Sequence, residues 1–367
     1  MRTGVFDISK FNPRSNLGGM KHVIDQFNGG GGGNAFYAMT MDAAVAGGMA
    51  FLQSELEKRD PKVREPLTSV TWMRDIAIKS GGGWVDFTSV FNVDYGTSGP
   101  NALGILGGET NAIPTMQANI GKDIYPAFNW GNVMKVPYID MQKLQGIGRS
   151  LDDLLDKGIR LNWNKVLDLI TYFGPTSSYA GLVNSASITS GAAVAGASGS
   201  TQWNKKTPAE ILNDVNTIMV NTWAASQYDI SGMANHILIP PAQYAYIASQ
   251  IISIAGNVSI LSYLLENNIG KTQGVDLQIY PSRWCIGTAN GGPAGDSSIA
   301  GAGSGGTDRM VAYVNDEDRV YLDITVPIQR AMTMPDVKEA AYLTLFLGQI
   351  GVVKFLFLQP AAYMDGI

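Results

Sequence analysis

Residues 85 to 95 alternate between two kinds of side chain. Val85, Phe87, Ser89, Phe91, Val93 and Tyr95 fall on one face; Trp84, Asp86, Thr88, Val90, Asn92 and Asp94 fall on the other. A period of two held over eleven residues specifies a long β-strand. It runs into the turn cluster Gly96-Thr-Ser-Gly-Pro100 and a glycine-rich tip that reaches Gly108. Extended character resumes at 115–125 and 132–138. The expectation is a two-stranded excursion that leaves the body near residue 80, turns near 105 and returns by about 138. A two-stranded ribbon is marginal in water, so such a chain needs a further surface for the ribbon to lie on.

The rest of the chain reads as a flexible start followed by a mixed body. Residues 1 to about 35 are polar and include five consecutive glycines, Gly29 to Gly33. Such a stretch buries too little apolar surface to offset its ordering entropy. A helical pattern spans 41–58, and a linker rich in proline and charge spans 58–66. The strongest helix is expected over 150–173, capped by Ser150, with Asp152 and Asp153 in its first turn and Gly174-Pro175 as its stop. Thr207-Pro-Ala-Glu210 is a capping box with proline at the first helical position. A buried strand, 236–239, precedes Pro240-Pro241. Two helices are expected after it, 242–255 ended by Gly256 and 258–268 ended near Gly270. Residues 287–307 form a second glycine-rich loop. Strands close the chain: Val320, Leu322, Ile324 and Val326 alternate with polar neighbours, and 342–347 and 352–358 are apolar on both faces.

Composition limits the function classes. Charged residues are 16% of the 367, against about 25% in ordinary soluble proteins, and hydrophobic residues are 45%. Less solvated surface per residue fits a protein that hides its exterior in subunit contacts, although a large compact monomer would lower it too. Net charge is −5 and there is no basic run, which argues against a dedicated nucleic-acid reader. The single cysteine, Cys285, excludes an internal disulfide and argues against a cysteine-based zinc site. No signal peptide and no membrane-spanning run are read. A reducing cytoplasm is the expected place of synthesis.

Reactive groups are scarce. The two histidines are His22, in the presumed arm, and His236, which opens an apolar strand and reads as a structural histidine. Gly270-Lys271-Thr272 lacks the upstream glycine of a phosphate loop, since Leu265 stands there. Gly301-Ala-Gly303-Ser-Gly305-Gly306 leads into a strand where a dinucleotide site would open a helix. Asn315-Asp-Glu-Asp318 lacks calcium-loop spacing and reads as a solvated turn. Asp152, Asp153 and Asp156 read as a capped helix start, Cys285 as a small buried side chain, and Lys122 and Lys135 as solvated. No catalytic, cofactor-binding or metal-binding residue is assigned, and no cofactor is expected.

The order of parts resembles the major capsid proteins of tailed bacteriophages, the Hong-Kong-97 type. The local matches are Gly181-Leu-Val-Asn184 after the long helix, Thr207-Pro-Ala-Glu-Ile-Leu212, His236-Ile-Leu-Ile-Pro-Pro-Ala-Gln-Tyr244, and Asp308-Arg-Met-Val-Ala-Tyr313 through Val326-Pro327. The resemblance spans about 40–367. It implies an α+β fold with an N-terminal arm and linker (1–75), an extended loop (76–140), a peripheral domain with a spine helix at 150–173 (141–206 plus 308–367) and an axial domain (207–307).

The function implied is a self-assembling, non-enzymatic subunit of an icosahedral head, located in the virion and assembled in the host cytoplasm. Its implied partners are further copies in hexamers and pentamers, a portal, scaffold or decoration proteins, and packaged double-stranded DNA held without sequence preference. No membrane partner is expected. Trp84, Phe87, Phe91 and Tyr95 are the expected inter-subunit contacts, with Gly29 and Gly33 bounding a hinge. Two other readings fit the residues: an encapsulin-like nanocompartment, distinguished by a protein cargo, and an α/β enzyme whose site is not recognised.

Overall fold

The leucines and isoleucines at helical spacing after residue 150 form one continuous rod of 23 residues, Leu151–Phe173, roughly 35 Å long at ~1.5 Å per residue. The computed structural model describes residues 70–98, 113–146, 151–176, 178–253, 258–287 and 306–367. The expected arm, the helix at 41–58, the cap at Ser150, the ribbon tip and most of the 287–307 loop lie outside them.

In chain order, α1 (Trp72–Asp75) leads into β1 (Ala77–Ser80). Next come β2 (Phe87–Ser98), β3 (Thr115–Pro126), β4 (Phe128–Pro137), α2 (Tyr138–Gly146) and the long helix α3 (Leu151–Phe173). β5 (Thr189–Ala192) precedes α4 (Pro208–Ala225) and β6 (His236–Ile239). Then follow α5 (Pro241–Ser249), β7 (Ile251–Ser253), β8 (Val258–Ser259), α6 (Ile260–Asn267), α7 (Ile269–Thr272) and β9 (Gln278–Pro281). The late strands are β10 (Arg309–Tyr313), β11 (Val320–Ile324), β12 (Val326–Asp336), β13 (Ala341–Ile350), β14 (Val353–Phe355) and β15 (Ala361–Asp365).

A five-stranded mixed sheet, ordered β5-β15-β10-β6-β9, divides the core. Alternate residues serve opposite faces. Ile237, Ile239, Met310, Ala312 and Met364 join Ile211, Val215, Ile218 and Met219 of α4 in one apolar cluster. Leu238, Val311, Tyr313 and Tyr363 join Leu167, Ile170 and Phe173 of α3 in another. The expected division placed all of 308–367 with the long helix. β10 and β15 hydrogen-bond into the five-stranded sheet, which meets α3 on one face and α4 on the other.

The N-terminal part of α3 packs on a second sheet, β12-β13-β4, through Ile159, Met134, Val136 and Phe346. β4 thus pairs with β13 over ten residues, so 128–137 belongs to the body and not to the excursion. A third sheet, β1-β11-β14, sets β1 parallel to β11. The helix expected over 242–255 stops at Ser249, and β7 and β8 form a small hairpin in its place. The β-branched pair Ile251-Ile252 suits extended backbone better than helix; Gly256 lies outside the described residues.

Two sequence motifs acquire physical reasons. The Thr207 hydroxyl accepts from Glu210 N–H, and Glu210 Oε2 accepts from Thr207 N–H at 2.7 Å, a closed capping box. In Gly181-Leu-Val-Asn184 the chain turns back along the end of α3. Leu182 N–H donates to Thr171 C=O and Val183 N–H to Tyr172 C=O. A Cβ on Gly181 would lie 2.3 Å from the Tyr172 backbone, and Asn184 Nδ2 donates to Phe173 C=O.

Buried polar residues join the layers. Asp168 of α3 accepts from the N–H groups of Thr71 and Trp72 and from Trp284 Nε1. Asp75 accepts from Arg74 and from the Tyr172 hydroxyl, and His236 Nε2 stands 3.6 Å from its Oδ1. Lys354, which interrupts the apolar run 352–358, is buried against Asp323 at 2.7 Å. Arg309 grips Asp365 with two hydrogen bonds.

Candidate inter-subunit surface

β2 and β3 form an antiparallel ribbon in continuous register from Phe87↔Pro126 to Ser98↔Thr115. The strand continues past Gly96, because a ladder needs backbone groups and not side chains. Residues directly opposite share a face. One face therefore carries Phe87, Phe91, Val93 and Tyr95 from β2 with Met116, Ile120 and Ile124 from β3. Phe87, Phe91, Tyr95, Met116 and Ile120 are each between 65% and 73% exposed. The reverse face is mostly polar: Thr88, Asn92 and Asp94 stand with Gln117, Asn119 and Asp123, beside Val90 and Tyr125 towards the root, and Asn92 Nδ2 donates to Asp123 Oδ2 at 2.6 Å.

The structure brings Phe87, Phe91 and Tyr95 together on this face. Trp84 is not on the ribbon; it is half-exposed in the segment before β2. Gly29 and Gly33 lie outside the described residues. Sequence reading missed Met116, Ile120 and Ile124. Their period-two spacing was present, but Ala118 and Lys122 dilute it. Lys122 lies over the Phe91 ring, 5.7 Å from its centre.

The ribbon joins the body at a compact root. Gln349, buried in β13, accepts from Val85 N–H at 3.0 Å and from the Thr325 hydroxyl at 2.9 Å through Oε1. Its Nε2 donates to Val85 C=O at 2.6 Å and to Asn129 Oδ1 at 2.9 Å. Ala127 N–H closes the base on Asp86 C=O. On the outgoing side Gly81, Gly82 and Gly83 all have positive φ, with open space where side chains would be.

Of the groups weighed for chemistry, His236 and Cys285 are embedded in packing. His236 is buried between Tyr280 and Tyr313. Burial pushes the Cys285 thiol well above its usual range. Among the described residues no group of three His, Cys, Asp or Glu side chains is placed to hold a metal ion. No described helix is long and apolar enough to cross a membrane.

A family model, Major capsid protein, matches residues 101–367. The chain belongs to the major capsid protein family. Its fold is the Hong-Kong-97-type capsid fold. This subunit is similar to the capsid of Myoviridae phage XM1, with a TM-score of 0.66 at 14% identity over 86% of this chain and 98% of that one. The capsid of the native GTA particle gives a TM-score of 0.54 at 10% identity, covering 84% of this chain and 94% of that one. Microbacterium phage Oxtober96 gives 0.53 at 11% identity, covering 86% and 98%. No curated protein sequence matches the capsid subunit.

Proposed function

We propose that this capsid subunit assembles by laying the apolar face of its β2–β3 ribbon on a neighbouring copy, as the building unit of a tailed double-stranded DNA phage head. The observation that supports this is the amphipathic ribbon. Seven exposed apolar side chains share one face of a two-stranded element that has too little core to be stable alone. Burying each large side chain would contribute about 1.5–3 kcal/mol. The role is structural and not catalytic.

In the same reading, residues 1–75 act as arm and linker and α3 with its sheets as the peripheral domain. The body around α4 is the axial domain, facing the symmetry axes of hexamers and pentamers. Trp84 extends the contact surface at the ribbon root. Portal, scaffold or decoration proteins and non-specifically held DNA complete the particle, which forms in the host cytoplasm. The test is negative-stain microscopy and sedimentation of the full-length chain with its native partners. Closed shells that protect double-stranded DNA from nuclease are expected. Lone subunits at high concentration would overturn the assembly, and a protein cargo would favour a nanocompartment.

A further inference from the structure

We propose that Gln349 is a latch that fixes the direction in which the ribbon leaves the body, with Gly81, Gly82 and Gly83 as the pivot it restrains. Val85 lies between the glycines and the first ladder pair, Phe87↔Pro126, so no strand satisfies its backbone. The Gln349 side chain takes that place, accepting from Val85 N–H and donating to Val85 C=O. A primary amide offers two donors and two acceptor lone pairs. All four are engaged here, the other two by Thr325 Oγ1 and Asn129 Oδ1.

Those partners place the latch on rigid elements. Gln349 is itself in the ladder, opposite Asn129 of β4 and Val326 of β12. It is buried, so water does not compete for the amide. The outgoing covalent link is held only at its start, where Gly81 N–H donates to Ile324 C=O at 3.1 Å. The three glycines have φ of +117°, +108° and +74°, and a side chain on any of them would meet no atom within 4 Å. Glycine there has the widest choice of conformations. Without the latch, the outgoing strand would keep no bond to the body between Gly81 and its own base at Asp86, and the return strand, with Tyr125 under the Lys354 ammonium, would direct the ribbon alone.

Gln349 is thus a positioning residue. It concerns the isolated subunit and stands independently of where the ribbon docks. The test is the distance distribution between spin labels at Asp94→Cys, on the ribbon's polar face, and Asn162→Cys, exposed on α3, in unassembled full-length protein. Cys285 is buried and does not take a label. Wild type should give one narrow distribution, and folded Gln349→Leu a broad one. Val85→Pro deletes the donor from the ribbon side, outside the core, and should broaden the distribution even if Gln349→Leu fails to fold. A narrow, unshifted distribution in Val85→Pro, or in folded Gln349→Leu, would overturn the proposal.

Discussion

Trp284 donates its indole N–H to Asp168 Oδ2 at 2.7 Å, from a segment 116 residues further along the chain. The other oxygen of Asp168 accepts from Thr71 and Trp72 at 2.9 and 3.1 Å. One carboxylate on α3 therefore ties the entry of the chain into the body to the segment after β9. Replacing Asp168 with alanine strands three donors, two of them buried. Each costs about 1–3 kcal/mol when unsatisfied. Asp168→Ala should lower the unfolding free energy of the unassembled subunit by at least about 3 kcal/mol in urea titrations.

The ribbon's two faces should respond differently to substitution. Ile120→Ser removes exposed apolar surface and should leave subunit stability within about 0.5 kcal/mol of wild type. It should nevertheless reduce the yield of shells on sucrose gradients. Asn119→Ser, on the polar face, should leave both unchanged.

Acid should weaken the junction at Asp75. Burial raises its pKa, but the neighbouring His236 and hydrogen bonds from Arg74 and Tyr172 outweigh burial and hold it below the ordinary value. A carboxylate depressed in the folded state stabilises fully above its unfolded pKa and loses that contribution as pH falls through the folded one. The stability gap between wild type and Asp75→Asn should be constant near neutrality and close below about pH 4. Urea midpoints measured from pH 7 to 3 check this.

Gly181 has no room for a methyl group, since its Cβ would fall 2.3 to 2.5 Å from the backbone of Tyr172 and Phe173. Backbone cannot step aside as a side-chain tip does. Gly181→Ala should cost about 3 kcal/mol, the upper end for overpacking, and lower the thermal midpoint of the subunit. Gly191, with open space around its Cβ, is the control.

Cys285 should be inert in the folded subunit. It is fully buried, and burial raises its thiol pKa. Thiolate is the reactive form, so a thiol reagent at pH 8 should label it only when denaturant is present.

What could be read from the sequence was local. The alternation before Tyr95, the stripe of α3 and the Thr207–Glu210 box each announce their own structure, because period and capping are properties of adjacent residues. Pairing is not. Nothing near residues 128–137 says that their partner is 341–350, so β4 was read as the end of the excursion. Nothing in 309–313 or 361–365 names the strands they pair with, since a strand buried on both faces carries no mark of its neighbour. The apolar half of the ribbon supplied by β3 was missed for a smaller reason: Lys122 breaks the pattern, although its ammonium rests over Phe91. Gln349 gives no signal at all in sequence, because its three partner residues, Val85, Asn129 and Thr325, lie in separate segments.

β15 sits inside its sheet, between β5 and β10, and among the described residues is the only strand paired with β5. A ribosome must therefore have released residues 361–365 before the layer between α3 and α4 can close. Until then the ribbon and its hydrophobic residues wait on an unfinished scaffold, in a topology whose distant contacts form late. A chain cut short before residue 361 would leave β5 and β10 without the strand that joins them, and α3 and α4 without the complete layer on which they pack.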